Sequence, residues 1–234
     1  SVAKSILCTA NVEEILSHSF HHRKLLADCI LKTICDVDRM VRAFGLLGTE
    51  LFRHKTSSLI LQEMAERDML QELLSKDPRG SHDFAWQSQL RYSWDLNKSS
   101  LQGRVLIHVM EQQFAYGLEY QGNELPLVWS ASLQTCCTMV SSALGSQSWS
   151  ALAGRLSTST LFVTGLSRSF GTACIFVSCE IDPNASVMHR VCKGIASSCF
   201  WLSLRAADQA PARFLQQLSV SIISLQNALR MQAE

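Results

Sequence analysis

Hydrophobic residues recur at a helical spacing through the first third of the chain. Five of them, together with Thr33, follow one another at alternating intervals of four and three residues and so share one face of a helix: Leu26, Ile30, Thr33, Val37, Met40 and Phe44. Gly45 and Gly48 predict the end of this helix. A second helix is predicted from about Ser57, ending before Pro78. Its apolar positions are Ile60, Met64, Leu70, Leu73 and Leu74.

A capping signature predicts where the helical region begins. Asn11 precedes Glu14 by three residues. At this spacing the Asn side chain accepts a hydrogen bond from a free backbone N–H, and the Glu reaches back to the cap. The pattern therefore predicts helices over about residues 11–75. Their apolar stripes are typical of packing faces and carry no chemical motif.

The period changes after residue 95, where Val, Ile, Phe and Tyr become frequent. Short strands are predicted at Arg104–Met110, at Phe114–Tyr120 and at Leu127–Trp129. Gly122 and Asn123 predict the turn before the last of these strands. Leu133–Leu144 is predicted to be a helix.

Strands and helices then alternate to the end of the chain. Ala173–Cys179 and Cys199–Leu204 are apolar runs of buried-strand length, and an Asp-Pro-Asn turn at residues 182–184 follows the first run. Helices are predicted at Val187–Ala196 and from Pro211 to about Met231, where Pro is tolerated in the first turn. This alternation predicts a parallel sheet with crossover helices. The fold class is mixed: a helical segment, then a parallel-sheet α/β domain.

Composition narrows the kinds of partner. The 234 residues include 21 basic and 20 acidic side chains, a formal net charge of +1, which gives no electrostatic reason to expect nucleic acid or an anionic membrane. Residues 1–100 hold 26 of the 41 charged side chains, so the second part is expected to be more buried. No apolar run approaches the roughly 20 residues of a membrane span, and no signal pattern opens the chain. The sequence predicts a soluble, cytosolic protein.

Nine cysteines and seven histidines raise the question of a metal site. No C-x-x-C is present, and the histidines are not spaced from the cysteines as zinc ligands are. Reduced thiols in apolar surroundings are therefore expected. The cysteines concerned are Cys136, Cys137, Cys174, Cys179, Cys192 and Cys199. His18, His21 and His22 precede Arg23 and Lys24, a grouping typical of a solvated helix end, and no metal is predicted.

Three segments carry a family resemblance. DFAWQSQLRYSW, Asp83 to Trp94, resembles the segment that leads into the motor ring of dynein heavy chains. QQFAYGLEYQGNELPLV, Gln112 to Val128, is similar to the strand pair that starts the first AAA+ module of that family, and LQTCCTMVSSAL, Leu133 to Leu144, to its next helix. The resemblance implies a helical linker end over residues 1–95 and a partial AAA+ module over 96–234. It also implies that Leu127 and Val128 lie near the adenine pocket.

The stretch that corresponds to the family's phosphate-binding loop is ALAGRLSTST, Ala151 to Thr160. A P-loop needs glycines for close backbone approach, a Lys for the phosphate oxygens and a hydroxyl for Mg²⁺. Matching Gly154 to the family's Ala-Gly places the Lys position on Ser157 and the hydroxyl on Thr158. Counting back from Cys179 without gaps places them on Ser159 and Thr160 instead. Both alignments stay open, and neither contains a lysine.

The acidic pair of the family's second catalytic strand falls on Arg205 and Ala206. Arg205 would put a fixed positive charge where the metal should lie, and Ala206 has no group that could orient water. Arg205 could instead reach a phosphate, although an Arg turned outward at a strand end is the more ordinary arrangement. No catalytic residue is assigned.

The resemblance implies a part of a dynein-like heavy chain that acts in microtubule-based movement. Because the lysine and the acids are absent, we expect this module to be structural or regulatory and not to hydrolyse ATP. The alternative is an ATP-binding segment of a working motor in which other AAA+ modules hydrolyse. ATP with Mg²⁺ is the cofactor that the family would imply, and the substitutions argue against it. A generic helical interaction protein would require that no parallel sheet follows residue 150.

The implied partners are other dynein subunits, namely intermediate, light intermediate or light chains, and microtubules through a longer chain. Neither nucleic acid nor membrane is expected. The implied location is the cytoplasm and its cytoskeleton, or the axoneme of a cilium or flagellum. A start at Ser1 and an end at Glu234, before the family's sensor residues and arginine finger, are expected of a fragment.

Overall fold

A computed structural model describes residues 2–18, 21–46, 49–98, 104–120, 122, 127–179, 185–198 and 200–233. Its internal contacts divide the chain into two compact units. The first contains residues 1–116 and 122–138, and the second contains residues 117–121 and 139–234. The domain boundary between residues 95 and 96 stays a prediction.

Four helices open the first unit: α1 Val2–Ser17, α2 His22–Leu46, α3 Glu50–Lys76 and the short α4 Phe84–Gln87. The predicted start at Asn11 is wrong, because Asn11 is an exposed residue inside α1. Thr9, Val12 and Leu16 are the buried residues of α1. The helix begins upstream of Asn11 because its buried face packs in the core. A local capping pattern does not reveal such packing.

The two long helices largely follow the predicted stripes. α2 contains all six stripe positions and ends at Leu46, while Gly48 lies outside the described residues. α3 begins at Glu50, seven residues before the predicted Ser57, with the acidic Glu50 in its favourable first turn. It ends at Lys76, as predicted before Pro78.

The core of the first unit forms where the helices meet the segment from Asp83 onward. Its buried residues are Val12, Leu16, Leu26, Ile30, Leu70, Leu73, Ala85 and Trp86. Trp86 is the largest of these side chains and is 1% exposed. The aromatic run is thus a packing element that fixes the helices to the strands that follow.

An antiparallel sheet completes the first unit, in the order β1 Arg91–Trp94, β2 Val105–Val109 and β3 Gln112–Ala115. The strand predicted at 104–110 is confirmed, but β3 ends before the predicted Tyr120. The strand predicted at residues 127–129 is wrong: these residues are irregular, and no neighbouring strand in the described part of the chain pairs with them. In the predicted turn, Gly122 has a φ of 77°, while Asn123 lies outside the described residues.

The second half alternates as predicted. α5 Ala131–Gly145 and α6 Leu156–Ser169 precede β4 Cys174–Ser178, α7 Ala185–Ser198, β5 Trp201–Arg205 and α8 Ala212–Ala233. β4 and β5 pair in parallel, which confirms the α/β class and contradicts a generic helical protein. The turn at 182–184 and Cys199 lie outside the described residues. One buried cluster of the second unit contains Cys179, Met188, Cys192, Phe214 and Leu218.

Candidate functional site

The loop before α6 is exposed and irregular. Gly154 has a φ of 155°, and a Cβ built there would meet no atom within 4 Å, so the glycine serves the backbone conformation and not a close contact. α6 begins at Leu156 after Arg155, whose side chain makes no capping hydrogen bond. The first-turn N–H groups of α6 therefore lack a side-chain cap from Arg155.

Four hydroxyl residues lie within the first five positions of α6. Ser157 and Thr158 are exposed, whereas Ser159 and Thr160 are half-buried. The Ser159 hydroxyl donates back to its own helix, with the carbonyl oxygens of Leu156 at 3.1 Å and Arg155 at 3.2 Å. The exposed Ser157 and Thr158 thus lie at the start of the helix, where the sequence has no lysine.

Arg205 lies at the last paired position of β5, opposite Ser178 of β4. Its guanidinium carbon is 4.3 Å from the centre of the Phe176 ring, so the side chain turns back over the sheet. The outward orientation considered for this residue is therefore wrong. Its buried Nε has no hydrogen-bond partner among the described residues. In this arrangement the cation covers an aromatic ring.

Ala206 follows Arg205 in the left-handed region, with φ 50° and ψ 45°, and begins the 3₁₀ turn Ala207–Gln209. An L-residue with a Cβ adopts this conformation at a cost. Its methyl group can neither hold a metal nor accept a proton. The next carboxylate along the chain belongs to the exposed Asp208.

The sites inferred from sequence are distributed over both units. Leu127 is half-buried and Val128 is 71% exposed, and both belong to the first unit. The residues from Gly154 to Thr160, with Arg205 and Ala206, belong to the second.

Asp83 caps the short helix α4 within the aromatic run. Its Oδ1 accepts from the Ala85 N–H at 2.9 Å, and its Oδ2 accepts from the Arg79 N–H at 3.3 Å. These backbone hydrogen bonds lower the pKa of the Asp83 carboxyl. The capping role of Asp83 explains why α4 begins there.

Arg91 anchors the same run to its surroundings. Its Nη2 donates to Gln87 Oε1 at 2.6 Å and to the Met110 carbonyl oxygen at 3.2 Å, and its Nη1 lies 3.7 Å from Glu13 of α1. Burial lowers the pKa of Arg91, an effect that Glu13 opposes. The guanidinium thereby joins α1, α4 and the β2–β3 turn. Sequence reasoning did not single out this role.

His108 lies directly opposite Arg91 on the neighbouring strand. Its Nε2 is 2.7 Å from the hydroxyl oxygen of Ser93. Burial, and after it the charge of Arg91, lowers the pKa of His108, while Glu13 raises it. Arg91 and Ser93 lie on one face of β1 because they are two residues apart. The pairing register places His108 of β2 on the same face, and this register cannot be read from either strand alone.

The described part of the chain brings no three His, Cys, Asp or Glu side chains together in an arrangement suited to a metal ion. Cys137, Cys179 and Cys192 are buried as predicted, whereas Cys136 and Cys174 are half-buried. Burial is the main cause that raises the pKa of Cys174 to about 11.

Among the described helices, none combines the length and apolar composition that a membrane crossing requires.

Comparison with known proteins identifies the lineage. The family model described as the hydrolytic ATP-binding site of the dynein motor region matches residues 116–234, about half of the chain. The chain belongs to the dynein heavy chain family. Within this family, its second half is a partial AAA+ α/β region, preceded by a helical segment.

Curated dynein heavy chains match nearly the whole sequence. The mouse dynein axonemal heavy chain 1 is 27% identical over 227 residues, covering 97% of this chain and 5% of the mouse protein. The 1-beta heavy chain of the flagellar inner arm I1 complex of Chlamydomonas reinhardtii is 24% identical over 229 residues, again 97% and 5%. The cytoplasmic dynein heavy chain of Paramecium tetraurelia is 25% identical over 76% of this chain and 4% of its own length. This chain thus spans about one-twentieth of its dynein relatives.

Proposed function

We propose that this chain is part of a dynein-type heavy chain whose AAA+ module here is structural or regulatory and does not hydrolyse ATP. Phosphoryl transfer relies on positioning and on stabilising the charge of the transferred group. The observation that carries the proposal is the contact between Arg205 and Phe176, with 4.3 Å from guanidinium to ring centre. It puts a cation at the strand end where the family resemblance expects a metal-binding acid, and Ala206 beside it cannot activate water.

The beginning of α6 supports one of the two alignments of the phosphate loop. The P-loop lysine follows the last glycine, where the helix starts. Ser157 lies in the first turn of α6 with an exposed side chain, whereas the Ser159 hydroxyl is bonded to its own helix. We therefore assign the lysine position to Ser157 and the Mg²⁺ hydroxyl position to Thr158, with Ser159 and Thr160 outside the vestigial loop.

The test is ATP turnover by the purified chain with and without Mg²⁺. We expect no phosphate release above that of buffer. Sustained release that stops when EDTA removes Mg²⁺ would overturn the proposal. The variant Ser157→Ala serves as the control for contaminating ATPase, because it should leave any background unchanged.

A second candidate function is ATP binding without local hydrolysis. It is favoured by the exposed first turn of α6, where Arg155 provides no side-chain cap and backbone N–H groups can donate hydrogen bonds to an anion. Titration with a fluorescent ATP analogue to millimolar concentration tests it. Saturable binding weakened by Ser157→Glu would support it, because the new carboxylate repels phosphate. Absence of saturation would exclude this site.

The proposed setting follows from the relatives. Their names describe axonemal, flagellar inner-arm and cytoplasmic dynein heavy chains. By this similarity we propose a role in microtubule-based movement, in the cytoskeleton of the cytoplasm or in a cilium, with dynein intermediate, light intermediate or light chains as partners. The proposed organisation is a linker end over residues 1–95 and a partial AAA+ module over 96–234.

A further inference from the structure

A short segment after β3 interrupts the first unit. Residues 117–121 belong to the second unit, although the residues before them, up to 116, and after them, 122–138, belong to the first. The chain leaves the first unit again between residues 138 and 139, inside α5. If the segment did not dock on the second unit, it would be a loop of the first unit. The crossing inside α5 would then be the one covalent link between the units.

Two backbone hydrogen bonds hold this segment to the end of α6. The Gly117 N–H donates to the Phe170 carbonyl oxygen at 2.9 Å, and the Glu119 N–H donates to the Gly171 carbonyl oxygen at 2.8 Å. Both donors belong to residues 117–120, which we call the latch. The latch is thus attached through its backbone at two points.

The acceptor side of this contact is firmly placed. Phe170 is buried, and its ring packs against Trp201 of β5 with 5.1 Å between the ring centres. The Gly171 N–H donates to the Arg168 carbonyl oxygen at 2.9 Å, which closes the last turn of α6. Both acceptors therefore belong to packed structure, and any movement is expected in the latch itself.

The latch docks at the cost of backbone strain. Leu118 lies between the two donors and has a φ of 59°, in the left-handed region. A residue with a Cβ adopts this conformation only where its surroundings impose it. Here the hydrogen bonds on either side of Leu118 impose it. Gly117 must also lack a side chain, because a Cβ there would lie 2.5 Å from the Gly171 carbonyl oxygen.

We propose that the latch opens on its own while both units stay folded, and that its opening leaves α5 as the one covalent link between the units. Opening breaks two hydrogen bonds, whose donors can bond to water instead, and it releases the strain at Leu118. A segment attached by so few contacts opens at a lower free energy than a packed core. The proposal does not depend on the proposed function.

The central experiment measures amide exchange of Gly117 and Glu119 in the whole chain. The amides of β2 and β4 report on the first and second units. We expect the two latch amides to exchange faster than the amides of both strands and to depend little on low concentrations of denaturant, as in a local opening. Latch amides that exchange at the same rate as those of β4, with the same dependence on denaturant, would overturn the proposal.

Two substitutions of Leu118 test whether strain is stored in the docked latch. Leu118→Ala shortens the side chain but keeps the cost of the left-handed conformation, whereas Leu118→Gly removes this cost as well. The Glu119 amide should be protected from exchange about fivefold more strongly in the Gly variant than in the Ala variant. Equal protection in the two variants would mean that Leu118 stores no strain, and the proposal would fail.

Gly117→Ala tests whether the latch can open without the units. The new Cβ clashes with the acceptor side, so protection of the Glu119 amide should fall at least about fivefold while β2 and β4 stay protected. Gly194→Ala is the matched control, because no atom lies within 4 Å of its Cβ, and it should leave the Glu119 amide unchanged. An unchanged Glu119 amide in Gly117→Ala, or loss of protection in β2 and β4 along with it, would contradict independent opening.

Discussion

At the scale of single residues, Gly117 has little room for a side chain. A Cβ built there would lie 2.5 Å from the Gly171 carbonyl oxygen and 2.9 Å from Thr172 Cγ2. The Gly117 N–H also donates to the Phe170 carbonyl oxygen at 2.9 Å, so the backbone cannot retreat without losing this bond. We expect Gly117→Ala to lower the free energy of unfolding by about 1–3 kcal/mol, as overpacking does. Urea denaturation followed by circular dichroism measures it.

Gly194→Ala is the matched control in the same unit. Gly194 lies inside α7, and no atom would come within 4 Å of its Cβ. Ala is the better helix former, so the free energy of unfolding should rise by about 0.5–1 kcal/mol. We expect the two substitutions to change the free energy of unfolding in opposite directions. A loss of similar size in both would contradict the steric explanation for Gly117.

His108 gives the first unit a pH dependence with a definite sign. Burial and Arg91 lower its pKa from the ordinary value of 6.5. Below pH 6.5 the unfolded chain therefore binds a proton that the folded chain resists. The stabilising contribution is complete above pH 6.5 and is lost as the pH falls toward the lower folded pKa. His108→Gln should thus lose less stability than the natural sequence between pH 7 and pH 5.5, measured by urea denaturation.

The control for this prediction is His18→Gln. His18 is exposed at the end of α1, outside the sheet. This variant should keep the acid sensitivity of the natural sequence. If His108→Gln and the natural sequence lose stability equally on acidification, groups other than His108 govern the effect.

The residue identities determine which side chains the corresponding positions carry, but they do not predict the geometry around them. Positions 157 and 159 carry serine and not lysine, and positions 205 and 206 carry Arg and Ala and not acidic residues. This holds for any fold. The contact between Arg205 and Phe176 depends on the pairing of β4 with β5, in which Phe176 faces Ser203 and Ser178 faces Arg205. Register between strands far apart in sequence is not encoded in a local pattern.

Among the elements, α6 can be stabilised at its N-cap residue, Arg155. Arg155 occupies the cap position without a side-chain capping bond, and its positive charge adjoins the positive end of the helix. Arg155→Asp provides both an acceptor for a first-turn N–H and a favourable charge. The free energy of unfolding should rise by about 1 kcal/mol. Urea denaturation measures the change.

Arg155→Ala separates the two contributions. It removes the unfavourable charge but supplies no hydrogen-bond acceptor. The increase in the free energy of unfolding should therefore be smaller for Arg155→Ala than for Arg155→Asp. Equal gains would mean that the charge alone matters. An unchanged stability in both variants would contradict an uncapped helix start.

Elements with a strong period were predicted well, and those that depend on pairing were not. The stripe on α2 and the apolar runs of β4 and β5 are local signals that predict these elements. The two strands are nevertheless only partly buried, and Ile175 of β4 is 38% exposed. The strand expected at residues 127–129 failed because a strand needs a neighbour, which its own residues do not specify. The beginning of α1 was missed because the helix, whose buried residues are Thr9, Val12 and Leu16, begins upstream of the cap that was predicted at Asn11.

For the whole molecule, the presence of two cores has a measurable consequence. Leu73 is fully buried in the core of the first unit, and Leu218 is 6% exposed in that of the second. Truncation of a buried Leu to Ala costs about 2–5 kcal/mol through lost burial and the remaining cavity. We expect calorimetry to resolve two transitions, with Leu73→Ala lowering the midpoint of one and Leu218→Ala that of the other. If both substitutions lowered a single transition equally, the cores would unfold as one cooperative unit. Separate shifts would mean that the partial AAA+ half retains its own stability, independent of the helical half.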